Sequence, residues 1–513
     1  MTFNSQEIIK DIRVQFEHML DFVTGEQART ATADHIERGL FKLLLSMGAK
    51  LLRLFFVMRS QACSRQAVQI ETGQELAYHR DTSREYFSIF GKVCLDRPYF
   101  YQKGVGGRTP LDAELGLGED CYSDLLREVS EYLGVYTVYG KTSDILERLL
   151  DLNLSTRVLQ QNIAEDAVDV EAYYAQKPPP SPADEAEILV IQADGKGVPM
   201  IMDAASTEPG VRLGKGQKHG HKKEAVVTTV YTIETAPRTP EEVVASFFEL
   251  PQDPQPPASA HPKPQNKHIW ATLDGKETAL ARLSLQVTRR QGDHIQSKVA
   301  LCDGCEALQS RIAAQFSDFS LVLDFIHTSE YLWDVANRLL GETHPDRLDW
   351  MADQTLRILS GQTQQVIADF RHMAQKTKTK STQREQLNKT ANYFERNLPF
   401  MDYPTYLANG WPIASGVIEG ACRHFVKDRC ELSGMRWNQV GAENLLRLRA
   451  VAENDDWDAY HTFRKQQRHI RLYGSPDSSP DPIEVQVINT QPTALEPLTS
   501  GSRSGYHQLP LAA

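Results

Sequence analysis

Three apolar, β-branched runs each end on an aspartate: ILVIQAD at Asp194, KVALCD at Asp303 and SLVLD at Asp324. Helical patterns separate them, one around 276–289 and one over CEALQSRIAAQF, and EAVVTTVYTIET supplies a further strand. Strands alternating with helices form an α/β sheet whose strand ends converge on a shared crevice. An Asp-Gly pair after a strand is also an ordinary turn, since both residues favour one. Repetition shifts the balance, because neighbouring acids repel one another unless a cation holds them. Oxygen ligands in such a cleft suit Mg2+, or Mn2+ in its place, better than zinc.

KVALCDGCEAL also holds a Cys-x-x-Cys pair, Cys302 and Cys305. A structural zinc site needs four ligands, usually from a second close pair. Cys422 and Cys430 are eight apart, and no second Cys-x-x-Cys occurs in the chain. Zinc is therefore not expected, the two thiols read as small apolar fillers, and Asp303 is the residue expected to carry chemistry. Seven scattered cysteines also make a poor disulfide framework.

A fourth acid, Glu419, lies in WPIASGVIEGACRHFVKDRC. In a helix, Glu419, Arg423 and Lys427 share one face, while Ile418, Cys422 and Phe425 form another that can pack on the sheet. That helix would offer a carboxylate to a metal and cations to phosphate oxygens. The plainer alternative is an intrahelical Glu-Arg pair, stabilising by about 0.3 kcal/mol. Basic residues cluster although the chain carries a net charge of −11: Arg212, Lys215, Lys218, Lys222 and Lys223 in RLGKGQKHGHKK, and Arg423, Lys427 and Arg429 around Glu419. A charge run is often only a solvated face. Beside an acidic metal site, such clusters suit a polyanion held against its catalytic cations.

With 513 residues the chain needs more than one core. Residues 1–175 read as mainly helical, with a hairpin near 84–103 turning at Gly91-Lys92 and a helix-turn-helix near 142–170 capped by Ser155. That pair is either a DNA-reading motif or two packed bundle helices. Residues 176–187 are a proline-rich linker, 188–330 the opening portion of the sheet domain, 331–404 an all-helical insertion and 405–455 closing helices. LPQDPQPPASAHPKPQNK (250–267) reads as a long loop, and 474–513 as a flexible tail. GLFKLLLSMGAKLLRLFFVM is broken by Lys42, Lys50 and Arg53, which predicts a buried amphipathic helix and no membrane span. The first residues lack an apolar signal core, so a cytoplasmic protein is expected.

IQADGKGVPM, RLGKGQKHGHKKEAVV, PQNKHIWATLDG, VALCDGCEAL, VLDFIHTSEYLW and SGVIEGACRHFVKDR followed by SGMRWNQVGAENLLRLR occur in this order. Together with SIFGKVCLDRPYFY and PLDAELGL they resemble the insertion-sequence transposases of the ISKra group, bacterial relatives of the Mutator-like DDE transposases. The resemblance spans about residues 84–450. It implies a ribonuclease-H-like catalytic core interrupted by the helical insertion. Its catalytic and metal-binding acids would be Asp194, Asp303 and Glu419, holding two Mg2+ ions, with Asp324 and His327 as supporting residues from an Asp-x-x-His signature. It also implies double-stranded DNA as partner, at transposon ends and target, and a homodimer or larger assembly on DNA. The location implied is the bacterial cytoplasm, at the nucleoid when DNA is bound. A ribonuclease-H-like nuclease without strand transfer, or a domesticated non-catalytic DNA-binding protein, are the alternatives.

Overall fold

The computed structural model describes residues 5–70, 73–201, 222–248, 262–376 and 380–474. Arg212, Lys215 and Lys218, most of the expected loop at 250–267 and nearly all of the tail at 474–513 lie outside these residues. Two antiparallel helices come first, Ser5–Thr24 (α1) and Ala33–Ala62 (α2). The Thr32 hydroxyl caps α2 by accepting from the His35 N–H, and Lys50 ties α2 to Asp11 of α1 at 3.0 Å. α2 contains the apolar stretch expected to be buried, and here the structure differs. One side packs on α1 and another on the hairpin, but Phe41, Leu44, Leu51, Phe55 and Met58 remain 46–56% exposed.

The hairpin is longer than its aromatic core suggested. Val68–Gln69 (β1), Glu75–Ser88 (β2), Gly91–Gln102 (β3) and Gly106–Arg108 (β4) form an antiparallel sheet in sequence order. The turn falls two residues before the expected Gly91-Lys92: Ser88 pairs with Gly91 across Ile89-Phe90, and Gly91 takes φ +105°. Helices Pro110–Glu114 (α3), Asp124–Tyr136 (α4), Tyr139–Leu150 (α5), Thr156–Asp166 (α6) and Val170–Gln176 (α7) follow. The expected cap is present, the Ser155 hydroxyl accepting from Val158 N–H at 3.3 Å. α6 buries Leu159 and Ile163 and exposes Arg157, Gln160 and Gln161.

The proline-rich stretch does not divide the chain into independent units. Arg289 donates to the carbonyls of Tyr174 and Lys177, and Glu185 is buried against Arg290. Val135, Ile163, Val170 and Tyr173 from α4–α7 share one core with Val198, Val227 and Ile269 of the second sheet and Phe425, Leu445 and Tyr460 of the closing helices. A unit ending at 175 is thus contradicted by packing, because α4–α7 complete the core beyond the linker.

That sheet contains Ile188–Pro199 (β5), Lys222–Ile233 (β6), Gln265–Thr272 (β7), Ser297–Cys302 (β8) and Ser320–Leu323 (β9), in the order β7-β6-β5-β8-β9. β6 runs antiparallel to both neighbours, whereas β5, β8 and β9 are parallel. Period-two alternation sends Leu189, Ile191 and Ala193 to one face, under Lys276–Arg290 (α9) and Glu306–Gln315 (α10). Ile188 and Val190 point to the other face. There they meet Pro240–Phe247 (α8), Phe325–Leu339 (α11), Arg347–Leu359 (α12), Thr363–Gln375 (α13), Ser381–Asn397 (α14) and Tyr403–Ala408 (α15). The described residues between 331 and 404 lie mostly in α11–α15, joined by short links. The chain then runs through Gly416–Gly420 (α16), a π-helical stretch Ala421–Lys427, Asp428–Cys430 (α17), Gln439–Glu453 (α18) and Trp457–Tyr473 (α19). No helix among the described residues is long and apolar enough to cross a membrane. The architecture is mixed α/β, with two sheets and a mainly helical N-terminal region.

Candidate metal-binding site at the strand ends

Strand register sets the site. Ala193 of β5 pairs with Cys302 of β8, and Cys302 with Leu323 of β9. The next residue on each strand is an aspartate, so Asp194, Asp303 and Asp324 stand in one row across three parallel neighbours. Their backbones differ. Asp194 does not close its strand as expected: β5 continues to Pro199, and Asp194 pairs with Val227 of β6. Asp303 accepts the Cys305 N–H at 3.1 Å in a tight turn before α10. The third strand stops at Leu323, because Asp324 caps α11 by accepting from Ile326 N–H (3.3 Å) and His327 N–H (3.1 Å). His327 therefore sits in the first turn of a helix.

Glu419 reaches the row from α16. The Ser415 N–H donates to Asp324 at 2.8 Å, and the Ser415 hydroxyl lies 3.4 Å from Glu419 Oε1. Asp324, His327 and Glu419 each present a ligand atom within 4.8 Å of the others. Asp194 and Asp303 stand beside this trio without joining so tight a group, and the Cys422 thiol donates to Asp194 at 3.3 Å. A second such group, Glu131, Asp166 and His461, lies in the helical core, where Arg127 and Arg464 already occupy Asp166.

The electrostatics fit a cation. Burial raises Asp303 above the ordinary carboxylate range, and Asp194 adds to the rise against the Cys305 N–H and His327. Burial and the Asp324 charge raise Glu419 in the same direction. Burial also opposes ionisation of Asp324, but hydrogen bonds from His327 and Ser415 outweigh it and hold its carboxyl low. The 2.6 Å bond to Asp324 raises His327 to about 9, so it is an imidazolium at neutral pH. Two half-buried acids with raised protonation, in an oxygen-rich row, are what a hard divalent cation would stabilise. No zinc cluster involving Cys302 or Cys305 occurs among the described residues; Cys302 is buried in the sheet core, and Cys305 is the residue preceding α10.

Sequence patterns missed the contribution of α14. Tyr393 stacks on Tyr331 at 3.8 Å, and the exposed Arg396 guanidinium lies over Tyr393 while donating to Gly304 O at 2.7 Å. A cation is thereby fixed next to Asp303. No local pattern marks Arg396, since only the fold brings it to the strand end. Among the expected DNA-binding cations, Arg423 and Lys427 are exposed. Lys222 pairs with Glu431, and Lys223 bonds Gln439 at 2.7 Å. Arg429 overturns its expectation: it is fully buried, donates to Gly134 O at 2.9 Å and lies over Tyr139 and Trp437. Burial in this run falls in pairs, 421/422, 425/426 and 429/430, so Arg429 lies on the same inward face as Cys422 and Phe425.

The fold and site define a mixed α/β chain with an acidic crevice at the ends of parallel strands, where Asp324, His327 and Glu419 lie close enough together to hold a metal ion. No protein-family model matches the sequence, and no curated protein matches it.

Proposed function

We propose that the chain is a DDE-type transposase of the ISKra group, which binds the terminal repeats of its insertion sequence and catalyses metal-dependent strand cleavage and strand transfer. The observation that carries this reading is the row of Asp194, Asp303 and Asp324 with Glu419 delivered beside it. A ribonuclease-H-like core is supported by a mixed sheet whose parallel strands carry the acids. Helices 331–404, between the last strand and the glutamate, support the family's insertion.

Asp194, Asp303 and Glu419 would hold Mg2+, with Mn2+ able to replace it. Such ions supply Lewis acidity that activates a water or 3′-hydroxyl and stabilises a departing phosphate oxygen. The protein's own groups prepare the site. The Cys422 thiol orients Asp194, and the Cys305 N–H orients Asp303. Asp324 and His327 form an ion pair that positions Ser415, and through it Glu419. Arg396 places a cation where a scissile phosphate beside Asp303 would need one. Arg423 and Lys427, exposed just past Glu419, extend the basic surface for flanking DNA.

The test uses DNA carrying this reading frame with its natural flanks, Mg2+, and the wild type beside Asp194→Ala, Asp303→Ala and Glu419→Ala. Cleavage at the element ends and joined products should appear with the wild type and vanish with each variant. Full activity in any variant overturns its assignment. Cleavage without joined products would favour the structure-specific nuclease, and a wild type that binds ends without cutting would favour the domesticated protein.

A further inference from the structure

Three helices that carry none of the carboxylate row, α4, α6 and α19, bring Glu131, Asp166 and His461 together. A ligand atom of each lies within 4.8 Å of the others. Glu131 has no solvent exposure, His461 has 1% and Asp166 3%. Both Glu131 oxygens and both His461 ring nitrogens are buried without a hydrogen-bond partner. A buried carboxylate with no donor on either oxygen is costly, and folded proteins rarely leave one so.

The spacing suits a shared ion better than a hydrogen bond. His461 Nε2 stands 3.9 Å from Glu131 Oε2, too far for a hydrogen bond. Two ligands on one tetrahedral ion stand ~3.4 Å apart, so a small closure brings both onto it. His461 Nδ1 lies 4.0 Å from Glu128 Oε1, where an outer carboxylate orients a metal-bound imidazole. Arg127 and Arg464 place three N–H donors on Asp166 at 2.7–3.0 Å. A carboxylate accepts about four, so one position remains.

Charge makes the missing partner a cation. Ion pairs join Glu131 and Asp166 to Asp120, Asp124, Glu128 and Glu165, against Arg127, Arg464, Lys465 and Arg468. Six acids facing four cations leave two negative charges. Setting aside the most exposed members, Glu165 and Lys465, leaves the same excess. A proton shared between Glu131 and Asp166 would remove only one charge and leave the ring nitrogens unpartnered.

We propose that Glu131, Asp166 and His461 hold one divalent transition-metal ion of the Zn2+ type, which clamps the closing helix α19 to α4 and α6. The imidazole favours such an ion over Mg2+ or Ca2+. Its ligands come from three separate helices, so the lack of a second Cys-x-x-Cys does not bear on it. The inference uses no residue of the carboxylate row and stands whether or not the chain is a transposase.

Full-length protein without a histidine tag, stripped by a chelator and titrated with Co2+, tests it. The wild type should take up an ion whose visible absorption reports nitrogen and oxygen ligands, and Zn2+ should displace it. Glu131→Gln/His461→Gln should bind this ion at least ~100-fold more weakly, whereas Asp303→Asn/Glu419→Gln should keep it. Absence of the ion from the wild type, full binding in Glu131→Gln/His461→Gln, or its loss from Asp303→Asn/Glu419→Gln overturns the proposal. Should Glu131→Gln/His461→Gln misfold, hydrogen exchange of Asp303→Asn/Glu419→Gln decides. Removing the ion should speed amide exchange in α4, α6 and α19, and unchanged exchange there overturns the proposal.

Discussion

Replacing Arg429 separates two accounts of a basic residue ten positions after Glu419. As a DNA contact, its loss would weaken binding and leave the fold intact. The structure makes it a strut instead, joining the helical run after Glu419 to the end of α4 and the start of α5. Its guanidinium has no solvent exposure, and burial lowers its affinity for the proton. The bond to Gly134 O contributes roughly 1.5–3 kcal/mol. The Tyr139 and Trp437 rings, 5.0 and 5.1 Å away, add about 1 kcal/mol each. Desolvation of the charge, with Nη2 lacking a partner, offsets some of this. Arg429→Ala should therefore cost about 3 kcal/mol, leaving a cavity and an orphaned carbonyl. Arg429→Met fills the space without the charge and should cost about 1 kcal/mol. Urea denaturation of the full chain reads both, and salt-dependent DNA binding of the folded variants supplies the contrast. Neither variant should change the salt slope, whereas Lys427→Ala should reduce it by about one while changing stability by less than ~0.5 kcal/mol. Unchanged stability in Arg429→Ala together with a reduced salt slope would refute the reasoning.

Burial, reinforced by Arg464, lowers His461 to about 3, and only 1% of its surface is exposed. A histidine that stays neutral in the fold but gains a proton near pH 6.5 when unfolded loses stability as pH falls. Between pH 7 and 5 the wild type should lose about 2 kcal/mol more than His461→Gln, measured by urea midpoints at each pH; equal losses would contradict it. Gly304→Ala would drive a Cβ into the Tyr393 ring, well inside van der Waals contact, and Tyr331 holds that ring in a stack. A loss of about 1–3 kcal/mol and of Mg2+-dependent cleavage is expected, and a variant with wild-type stability and rate would show the ring is free to move. Deleting residues 1–175 removes Val135, Ile163, Val170 and Tyr173 from the shared core. The truncated chain should fail to fold, as judged by near-ultraviolet circular dichroism, and a native-like spectrum would contradict the packing account.

Where a pattern arose from local geometry, the sequence was informative. Continuous apolar, β-branched runs marked β5, β6, β8 and β9, and Ser155 marked the start of α6. Elements stabilised by distant partners were not legible. β7 has only Ile269, Trp270 and Ala271 as an apolar core and follows a proline-rich stretch. α19 buries Tyr460, His461 and Arg464 in place of an aliphatic stripe, with Arg464 paired to Asp124 and Asp166. At the site, the aspartates could be read because each ends an apolar run. Their alignment depends on strand register, which no single strand encodes. Arg429 was misread because its charge suggested an outward position, although helical spacing puts it on the face of Cys422 and Phe425, where Gly134 O and two aromatic rings receive it.

The central claim is that the carboxylate row is a divalent-cation site, and Mn2+ binding followed by electron paramagnetic resonance tests it most directly. The wild type should take up Mn2+ in competition with Mg2+. Asp194→Asn, Asp303→Asn and Glu419→Gln should each weaken uptake at least ~10-fold, while Cys302→Ala and Cys305→Ala leave it unchanged. Undiminished binding in all three acid variants, or loss of binding only in the cysteine variants, would contradict the account.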